Sequence, residues 1–250
     1  MKVTLIDYTG CGAADPARHA ANVLVFTKST RLQMDPGRMK AIEEMSWREI
    51  TEELAYMAKT IPSSWEFVNY SFLIEGVSRA FTHQFVRTRT GSYAQQTMRV
   101  LNVTGFDYIA GPTVGTDSTN AAASEADKLY DSTMKTIQQN YDKLINMGVA
   151  IEDARGILPT NICTNIVASF NMRVVCELVR KRSSSRTQGE YRAVLDAMKE
   201  EVIRIHPFAK MFLERDFDKA AGELERMVLA KVNKDSAITM IKLIDQMRQS

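Results

Sequence analysis

The sequence predicts an α+β protein, which is an α/β fold in the broad sense. Three segments have the alternating, aromatic or β-branched composition of strands, at residues 2–8, 65–74 and 164–170. Long stretches between and after them carry Leu, Met, Ala and Ile at helical spacing. Strands separated by helical segments of this length are typical of a sheet flanked by helices.

The length of 250 residues allows one large domain or two small ones, and we expect a single domain over residues 1–250. Hydrophobic residues make up 45% of the chain and charged residues 25%, with a net charge of +2, which is ordinary for a globular protein. No apolar run approaches the roughly 20 residues that cross a bilayer, and the N-terminus becomes charged too early for a signal peptide. The three cysteines, Cys11, Cys163 and Cys176, lack zinc-ligand spacing. We therefore expect a cytoplasmic protein without a metal site.

Capping and turn signals predict the elements of the first third of the chain. Asp15 followed by Pro16 is typical of a helix start, so a short helix is predicted from there to residue 21. A turn is predicted at 35–37. The spacing of apolar residues then predicts one long amphipathic helix at 39–59.

In the middle of the chain, a helix is predicted at 77–86 and a further strand at 106–110. Residues 111–119 form a turn-rich connector, the best candidate for a mobile loop. A long helix at 121–147 and a short one at 151–158 follow.

The last third is predicted to be mainly helical after the strand at 164–170. An amphipathic helix is expected at 188–205, and Pro207 ends it. A terminal helical region at 223–246 belongs to a helical C-terminal extension from about residue 217 to 250.

A basic segment follows the helix predicted at 77–86. Residues 83–99 include Arg87, Arg89 and Arg99 but no acidic residue. On an extended backbone, Arg87 and Arg89 would point to the same side. A guanidinium binds phosphate or carboxylate through two parallel hydrogen bonds and stays charged. The segment thus favours capture of an anionic nucleotide, with a solvated basic loop as the alternative on composition alone.

The order of these residues resembles the signature of the flavin-dependent thymidylate synthase (ThyX) family, which is Arg-His-Arg, seven residues, then Ser. Here the chain reads Arg-Thr-Arg at 87–89, then seven residues, Thr97, and Met-Arg-Val at 98–100. The arginines and the spacing match the family. Thr88 replaces the histidine, and Val100 replaces the usual closing tyrosine.

Three further segments resemble the family in the same order along the chain. Residues 60–67 resemble Gly-His-x-Ser/Thr-Pro-Leu/Phe-Glu-His, although Ile61 replaces the first histidine. Residues 154–159 resemble Ala-Arg-x-x-Leu-Pro, in which the arginine binds nucleotide; a helix-end cation is the alternative for this arginine. Residues 171–182 resemble Asn-x-Arg-x-x-x-(Asn/His)-Phe-x-x-x-Arg, with Glu177 at the Asn/His position.

The resemblance implies an FAD-dependent thymidylate synthase-type methyltransferase. Such an enzyme transfers a one-carbon unit from methylenetetrahydrofolate to C5 of dUMP, and FAD reduced by NADPH completes the methyl group of dTMP. The implied substrate-binding residues, of which Arg155 and Arg182 are also catalytic, are Gln84, Arg87, Gln95, Gln96, Thr97, Arg99, Arg155 and Arg182. The implied cofactor-binding residues are Ser63, Glu66, Arg87, Thr88, Arg89, Thr90, Asn171, Arg173 and Glu177. A hydroxyl that touches the flavin is implied at either Thr27 or Ser29.

The resemblance also implies a mixed sheet flanked by helices, with a long helical insertion. The expected partners are a pyrimidine deoxynucleotide monophosphate, folate and further copies of the chain in a homotetramer. No membrane partner is expected. The basic cluster at 180–186 could contact nucleic acid, but the chain lacks the aromatic platform and wider basic face of such proteins, so nucleic acid is not an expected partner.

Two alternatives to the dUMP reaction stay open. The protein could methylate or hydroxymethylate another pyrimidine deoxynucleotide such as dCMP. It could also be a non-catalytic homologue that binds flavin or nucleotide, which the departures at Ile61, Thr88, Val100 and Glu177 motivate. A hydrolase of the Ser/His/Asp type is not supported, because the nucleophile and base residues are scattered. An arginine-rich site without acid-base residues needs a cofactor for demanding chemistry.

Overall fold

The computed structural model describes residues 1–30, 35–111, 121–182, 187–214 and 216–249. Contacts within the chain divide it into two units. The first comprises Met1–Lys2, Leu73–Arg89 and Tyr93–Ala168. The second comprises Val3–Phe72, Thr90–Ser92 and Ser169–Ser250. Among the described residues, no helix combines the length and the apolar composition that crossing a lipid bilayer requires.

Four strands form one sheet, in the order β1-β2-β4-β3. Their bounds are Lys2–Tyr8 for β1, Asn69–Ser78 for β2, Ser92–Gln95 for β3 and Cys163–Asn171 for β4. The α+β class is confirmed. The strands pair antiparallel, so the mixed pairing predicted for the sheet is wrong.

Two of the predicted strands match β1 and β4, but the strand predicted at 65–74 begins too early. Pro62–Phe67 forms a 3-10 helix instead. Trp65 in this helix is buried, and its indole N–H donates to the Met57 carbonyl at 3.1 Å. Trp65 therefore serves burial in a 3-10 helix rather than an extended backbone, whereas Phe67 is exposed. The strand predicted at 106–110 is reduced to an isolated bridge between Tyr108 and Ile162.

Helix α1, Pro16–Ser29, begins where Asp15 and Pro16 predict it. The Asp15 carboxylate accepts a hydrogen bond from the Arg18 backbone N–H at 2.9 Å, which satisfies a free donor of the first turn. The helix continues eight residues beyond the predicted end at residue 21. Buried Leu24 and Val25 explain the extension, because they pack its second half into the core.

The single long helix predicted at 39–59 is two helices, α2 at Arg38–Glu44 and α3 at Trp47–Thr60. Ser46 separates them and caps α3. Its hydroxyl accepts from the Glu49 N–H at 3.3 Å, and the Glu49 carboxylate accepts from the Ser46 N–H at 2.7 Å. This reciprocal arrangement is a capping box, whose Ser-x-x-Glu pattern is present in the sequence.

Helices of the middle region lie close to their predicted positions. Helix α4, Arg79–Phe85, is capped by Ser78. The long helix predicted at 121–147 is confirmed as α5, Ala121–Asn146. The short helix predicted at 151–158 is α6, Ile151–Ala154, continued by a 3-10 turn at Arg155–Ile157. Nearly all of the connector predicted at 111–119 lies outside the described residues.

The remaining chain is helical. Helix α7 spans Met172–Lys181 and α8 spans Gly189–Ile205, followed by a 3-10 turn at Pro207–Ala209 and the short α9 at Lys210–Leu213. The predicted C-terminal region consists of α10, Asp216–Lys231, and α11, Lys234–Gln249. Their shared apolar cluster comprises Ala221, Val228, Ala237, Ile241 and Ile244.

A buried polar pair lies in the core of the second unit. The Tyr70 hydroxyl and His206 Nδ1 are 2.9 Å apart, and both residues are fully buried. The Phe208 ring stacks on the imidazole at 5.4 Å between centroids. Burial lowers the pKa of His206 to about 4 and raises the pKa of Tyr70 well above its usual value. The imidazole is therefore neutral in the folded protein at neutral pH.

Candidate functional site

The predicted site residues are distributed over both units. The first unit carries Gln84, Arg87, Thr88, Arg89, Gln95, Gln96, Thr97, Arg99 and Arg155. The second unit carries Ser63, Glu66, Thr90, Asn171, Arg173, Glu177 and Arg182.

Arg87 and Arg89 lie in turns between α4 and β3, so the condition of an extended backbone, under which they would point to the same side, is not met. Tyr93 holds this segment, because its hydroxyl lies 3.1 Å from the Phe85 carbonyl and 2.8 Å from the Thr88 carbonyl. Both arginine side chains are exposed, and neither forms an ion pair with a described residue. They can therefore bind an anion without first displacing a carboxylate of a described residue.

The Gln95 amide is held by two buried threonines. Its Nε2 lies 2.9 Å from the Thr82 hydroxyl and 3.4 Å from the Thr164 hydroxyl. The Thr82 hydroxyl donates its proton to the Arg79 carbonyl at 3.1 Å, so it accepts from Gln95. This fixes the amide with its NH₂ toward the threonines and its Oε1 directed away from them.

Arg79 is a further candidate that the sequence did not reveal. Its Nη2 donates to the Gln96 carbonyl at 2.7 Å, and the Gln96 N–H donates in turn to the Asn165 carbonyl at 3.0 Å. The Arg79 Nε is buried and has no hydrogen-bond partner among the described residues. Burial lowers the pKa of Arg79, and the nearby charge of Arg155 lowers it further. Arg79 is thus a half-buried cation whose charge no described carboxylate offsets.

Glu152 contacts two neighbouring arginines, one through its carboxylate and the other through its backbone carbonyl. Arg99 Nε lies 3.3 Å from the Glu152 carboxylate, and Arg155 Nε donates to the Glu152 carbonyl at 3.1 Å. The Arg99 N–H donates to the Thr97 hydroxyl at 3.1 Å. The bond from Arg155 is the helix-end contact that we considered as its alternative role. The Glu152 carboxylate therefore offsets the charge of Arg99 alone. Arg155 donates to a neutral carbonyl, and its charge lies close enough to Arg79 to lower the pKa of that guanidinium.

In the second unit, Arg173 is the centre of an ion-pair ladder. Asn171 caps α7, with its side-chain oxygen accepting from the Val174 N–H at 2.9 Å. Arg173 Nη1 lies 2.7 Å from Glu66, and its Nε lies 3.2 Å from Glu177. The hydrogen bonds that Arg173 donates, to Glu66 first and to Glu177 second, raise its pKa. Both carboxylates are already engaged by the arginine predicted to hold the flavin.

A cavity of about 340 Å³ lies beside Ser63. Apolar side chains form most of its wall, and a few hydroxyl groups provide polar contacts. The lining residues include Val23, Phe26, Thr27, Met39, Ser63 and Phe67. Thr27 lines the cavity, whereas Ser29 is buried on α1 and accepts a hydrogen bond from Arg38 Nε at 3.2 Å. An apolar wall with a few hydroxyls suits a planar aromatic ring system.

Arg182 is the C-terminal cap of α7, and its backbone N–H donates to the Leu178 carbonyl at 3.1 Å. Its guanidinium lies over the Tyr191 ring, 5.2 Å from the centroid, an arrangement that fixes a planar cation. Arg180 contacts the Trp65 ring and donates to the Phe212 carbonyl at 2.8 Å, so it serves packing. Residues 183–186 of the basic cluster lie outside the described part of the chain.

Within the described residues, no three His, Cys, Asp or Glu side chains are close enough to hold a metal ion. Cys176 is fully buried, and burial raises its pKa to about 12. Its thiol therefore stays protonated and does not act as a nucleophile.

Comparison with known proteins matches residues 4–208 to the family model described as thymidylate synthase complementing protein. A flavin-dependent thymidylate synthase of Clostridium tetani is 31% identical over 226 residues, which are 83% of this chain and 84% of that protein. Proteins of the same name from Sulfurisphaera tokodaii and Nitratidesulfovibrio vulgaris are each 36% identical, over 140 and 138 residues. These two matches span 55% and 53% of this chain and 51% and 55% of those proteins, about half of their length.

Proposed function

Because this chain belongs to the thymidylate synthase complementing protein family, we propose that it is an FAD-dependent thymidylate synthase that converts dUMP into dTMP. Methylenetetrahydrofolate supplies the carbon that becomes attached to C5 of the pyrimidine. FAD, once reduced by NADPH, supplies the hydride that completes the methyl group. The residues of the chain bind and orient the substrates and the cofactor, and they stabilise the charge that develops during the reaction.

The observation that carries this proposal is the uncompensated charge around Glu152. Arg79, Arg99 and Arg155 bear three positive charges, and Glu152 offsets one of them. The remaining charge of +2 matches the phosphate monoester of a nucleotide, which carries nearly two negative charges at neutral pH. The Thr97 hydroxyl and the amide of Gln96 add neutral hydrogen-bonding groups to the same segment. We assign this group of residues to the phosphate and sugar of the nucleotide.

The second unit supplies residues that fit FAD. The cavity beside Ser63 has the apolar wall and the hydroxyls that an isoalloxazine ring requires, and Thr27 is the hydroxyl that lines it. Asn171 and Arg173 lie at the start of α7, where the positive end of the helix dipole and a cation favour an anion. Arg87 and Arg89 belong to the first unit and form no ion pair with a described residue, and the family resemblance supports an assignment to FAD for them as well. We assign these residues to the ring and the pyrophosphate of FAD.

Arg182 is the residue that we assign to the pyrimidine base. Its guanidinium, held flat over Tyr191, donates hydrogen bonds only. Such donors suit the carbonyl oxygens of uracil and stabilise negative charge that develops on them. Arg182 is therefore proposed as catalytic through charge stabilisation, and the family resemblance supports a catalytic role for Arg155 in addition to its contact with the phosphate. We further propose a cytoplasmic homotetramer.

The orientation of Gln95 favours a second candidate reaction. With its NH₂ held by Thr82, the amide offers an acceptor, Oε1, to a ligand. An acceptor is the correct partner for the 4-amino group of cytosine as well as for N3–H of uracil. Methylation or hydroxymethylation of dCMP is therefore the second candidate.

The experiment that tests both candidates is product analysis in competition. Purified protein with FAD, NADPH and methylenetetrahydrofolate receives equal amounts of dUMP and dCMP. We expect dTMP as the main product and a perturbed flavin spectrum on adding FAD. Preferential conversion of dCMP would establish the second candidate. Nucleotide and flavin binding without any product would identify a non-catalytic homologue, and a failure to bind FAD at high micromolar concentration would contradict the cofactor assignment.

Substitution of Arg99 by alanine tests the phosphate assignment. The Arg99 side chain is 71% exposed, so solvent screens part of its interaction. We expect binding of dUMP to weaken about tenfold, or by about 1.4 kcal/mol, which is less than the roughly 2–5 kcal/mol typical of a buried charged partner because the side chain is exposed. Affinity for FAD should not change. Titration of each ligand by calorimetry or fluorescence measures both effects.

Arg204→Ala is the matched control, because Arg204 is also an exposed, ion-paired arginine. It should leave both affinities unchanged. Equal losses of dUMP and FAD affinity in Arg99→Ala would show that Arg99 supports the whole site rather than the phosphate.

A further inference from the structure

Three charged side chains form a continuous ladder along α7. Arg173, Glu177 and Lys181 are spaced by four residues, so they lie on one face of the helix. Glu177 Oε1 lies 3.2 Å from Arg173 Nε, and its Oε2 lies 3.2 Å from Lys181 Nζ. The Glu177 carboxylate therefore bridges the two cations.

Glu66 joins this ladder from the 3-10 helix at Pro62–Phe67. Its carboxylate lies 2.7 Å from Arg173 Nη1. The same 3-10 helix carries Ser63, which lines the cavity described above. The Glu66–Arg173 pair thus connects the cavity wall to the first turn of α7, where Asn171 is the cap.

The ladder as a whole is electrically neutral. Arg173 and Lys181 contribute two positive charges, and Glu66 and Glu177 contribute two negative charges. A group that must attract the pyrophosphate of a dinucleotide gains from a net positive charge. Without Glu177, the same group would carry one positive charge beside the N-terminus of α7.

We propose that Glu177 limits the affinity of this chain for FAD, by occupying Arg173 and offsetting its charge. Glu177 is a positioning residue, since it acts through Arg173 rather than on the cofactor. This inference rests on the proposed function, in which Arg173 faces the pyrophosphate of FAD. FAD should therefore dissociate more readily than it would from a site with a net positive charge. The affinity for FAD should also depend less on the salt concentration.

Glu177→Gln tests the proposal because it removes the charge and keeps the shape. About 40% of each side chain in the Arg173–Glu177 pair is exposed, so screening keeps the effect modest. We expect the dissociation constant of FAD to fall about threefold at low salt. The difference between variant and parent should shrink in 0.5 M salt, because salt screens exposed charges (Debye length on the order of 10 Å or less). Quenching of flavin fluorescence during titration measures the constant without any turnover.

Glu52→Gln is the matched control, since Glu52 also pairs with an arginine four residues away on an exposed helix face. It should leave FAD affinity unchanged. In an Arg173→Met background, Glu177→Gln should have no effect, because the residue through which it acts is gone. Unchanged FAD binding by Glu177→Gln would overturn the proposal. Weaker FAD binding would also overturn it and would make Glu177 a residue that supports the cofactor. If the parent protein binds no FAD, the cofactor assignment itself fails, and that outcome is distinct.

Discussion

Replacing Arg79 with methionine is expected to weaken binding of dUMP about thirtyfold, the largest effect of any single site substitution proposed for this protein. The guanidinium is half-buried, its Nε is shielded from water, and no described carboxylate offsets its charge. A bound phosphate would be its counter-charge, and loss of a charged partner at a buried site typically costs about 2–5 kcal/mol. We use the lower end, about 2 kcal/mol, because the side chain is only partly buried. Calorimetric titration with dUMP measures the change.

The same substitution should leave the ligand-free protein nearly as stable as before. In the absence of an anion, Arg79 carries an unpaired charge near Arg155, and an apolar side chain of similar length removes that repulsion. We expect the free energy of unfolding to change by less than about 1 kcal/mol. A structural arginine would instead lose stability and affinity together. Arg48→Met, at an exposed arginine, controls for loss of a positive charge and should change neither quantity.

Local signals in the sequence are sufficient for elements that depend on neighbouring residues. β1 and the start of α1 follow from alternation and from Asp15 beside Pro16. The break between α2 and α3 could also have been found, because Ser46 and Glu49 have the spacing of a capping box. The continuous helical spacing of apolar residues across the break outweighed that signal.

The site depends on contacts between distant residues, which the sequence does not display. Arg79 becomes a candidate only because its partner, the Gln96 carbonyl, is brought to it across 17 residues. Glu66 and Arg173 are separated by 107 residues.

The family motif located Arg173 together with its partners Glu66 and Glu177, but it did not show that these residues form ion pairs. It also located Arg99, but not Glu152, the carboxylate with which Arg99 pairs. These carboxylates determine how much of the positive charge of the paired arginines remains available to an anion.

The pH dependence of stability should reveal the buried His206. Its pKa is lowered by burial from 6.5 to about 4 in the folded protein, whereas the unfolded chain titrates near 6.5. Between these values the unfolded state binds more protons than the folded state, so stability is complete above pH 6.5 and falls as the pH decreases toward 4. The difference of two and a half pH units corresponds to a loss of about 3 kcal/mol. Urea unfolding at a series of pH values measures it.

His206→Gln isolates this contribution, because an amide can hydrogen-bond to the Tyr70 hydroxyl but does not titrate. Carboxylates also gain protons toward pH 4, so the quantity to compare is the difference between the parent and variant curves. That difference should shrink by about 3 kcal/mol from pH 7 to pH 4 as the parent loses stability. Parallel curves for the parent and His206→Gln would show that the imidazole titrates alike in the folded and unfolded chain, which its full burial against Tyr70 and Phe208 argues against.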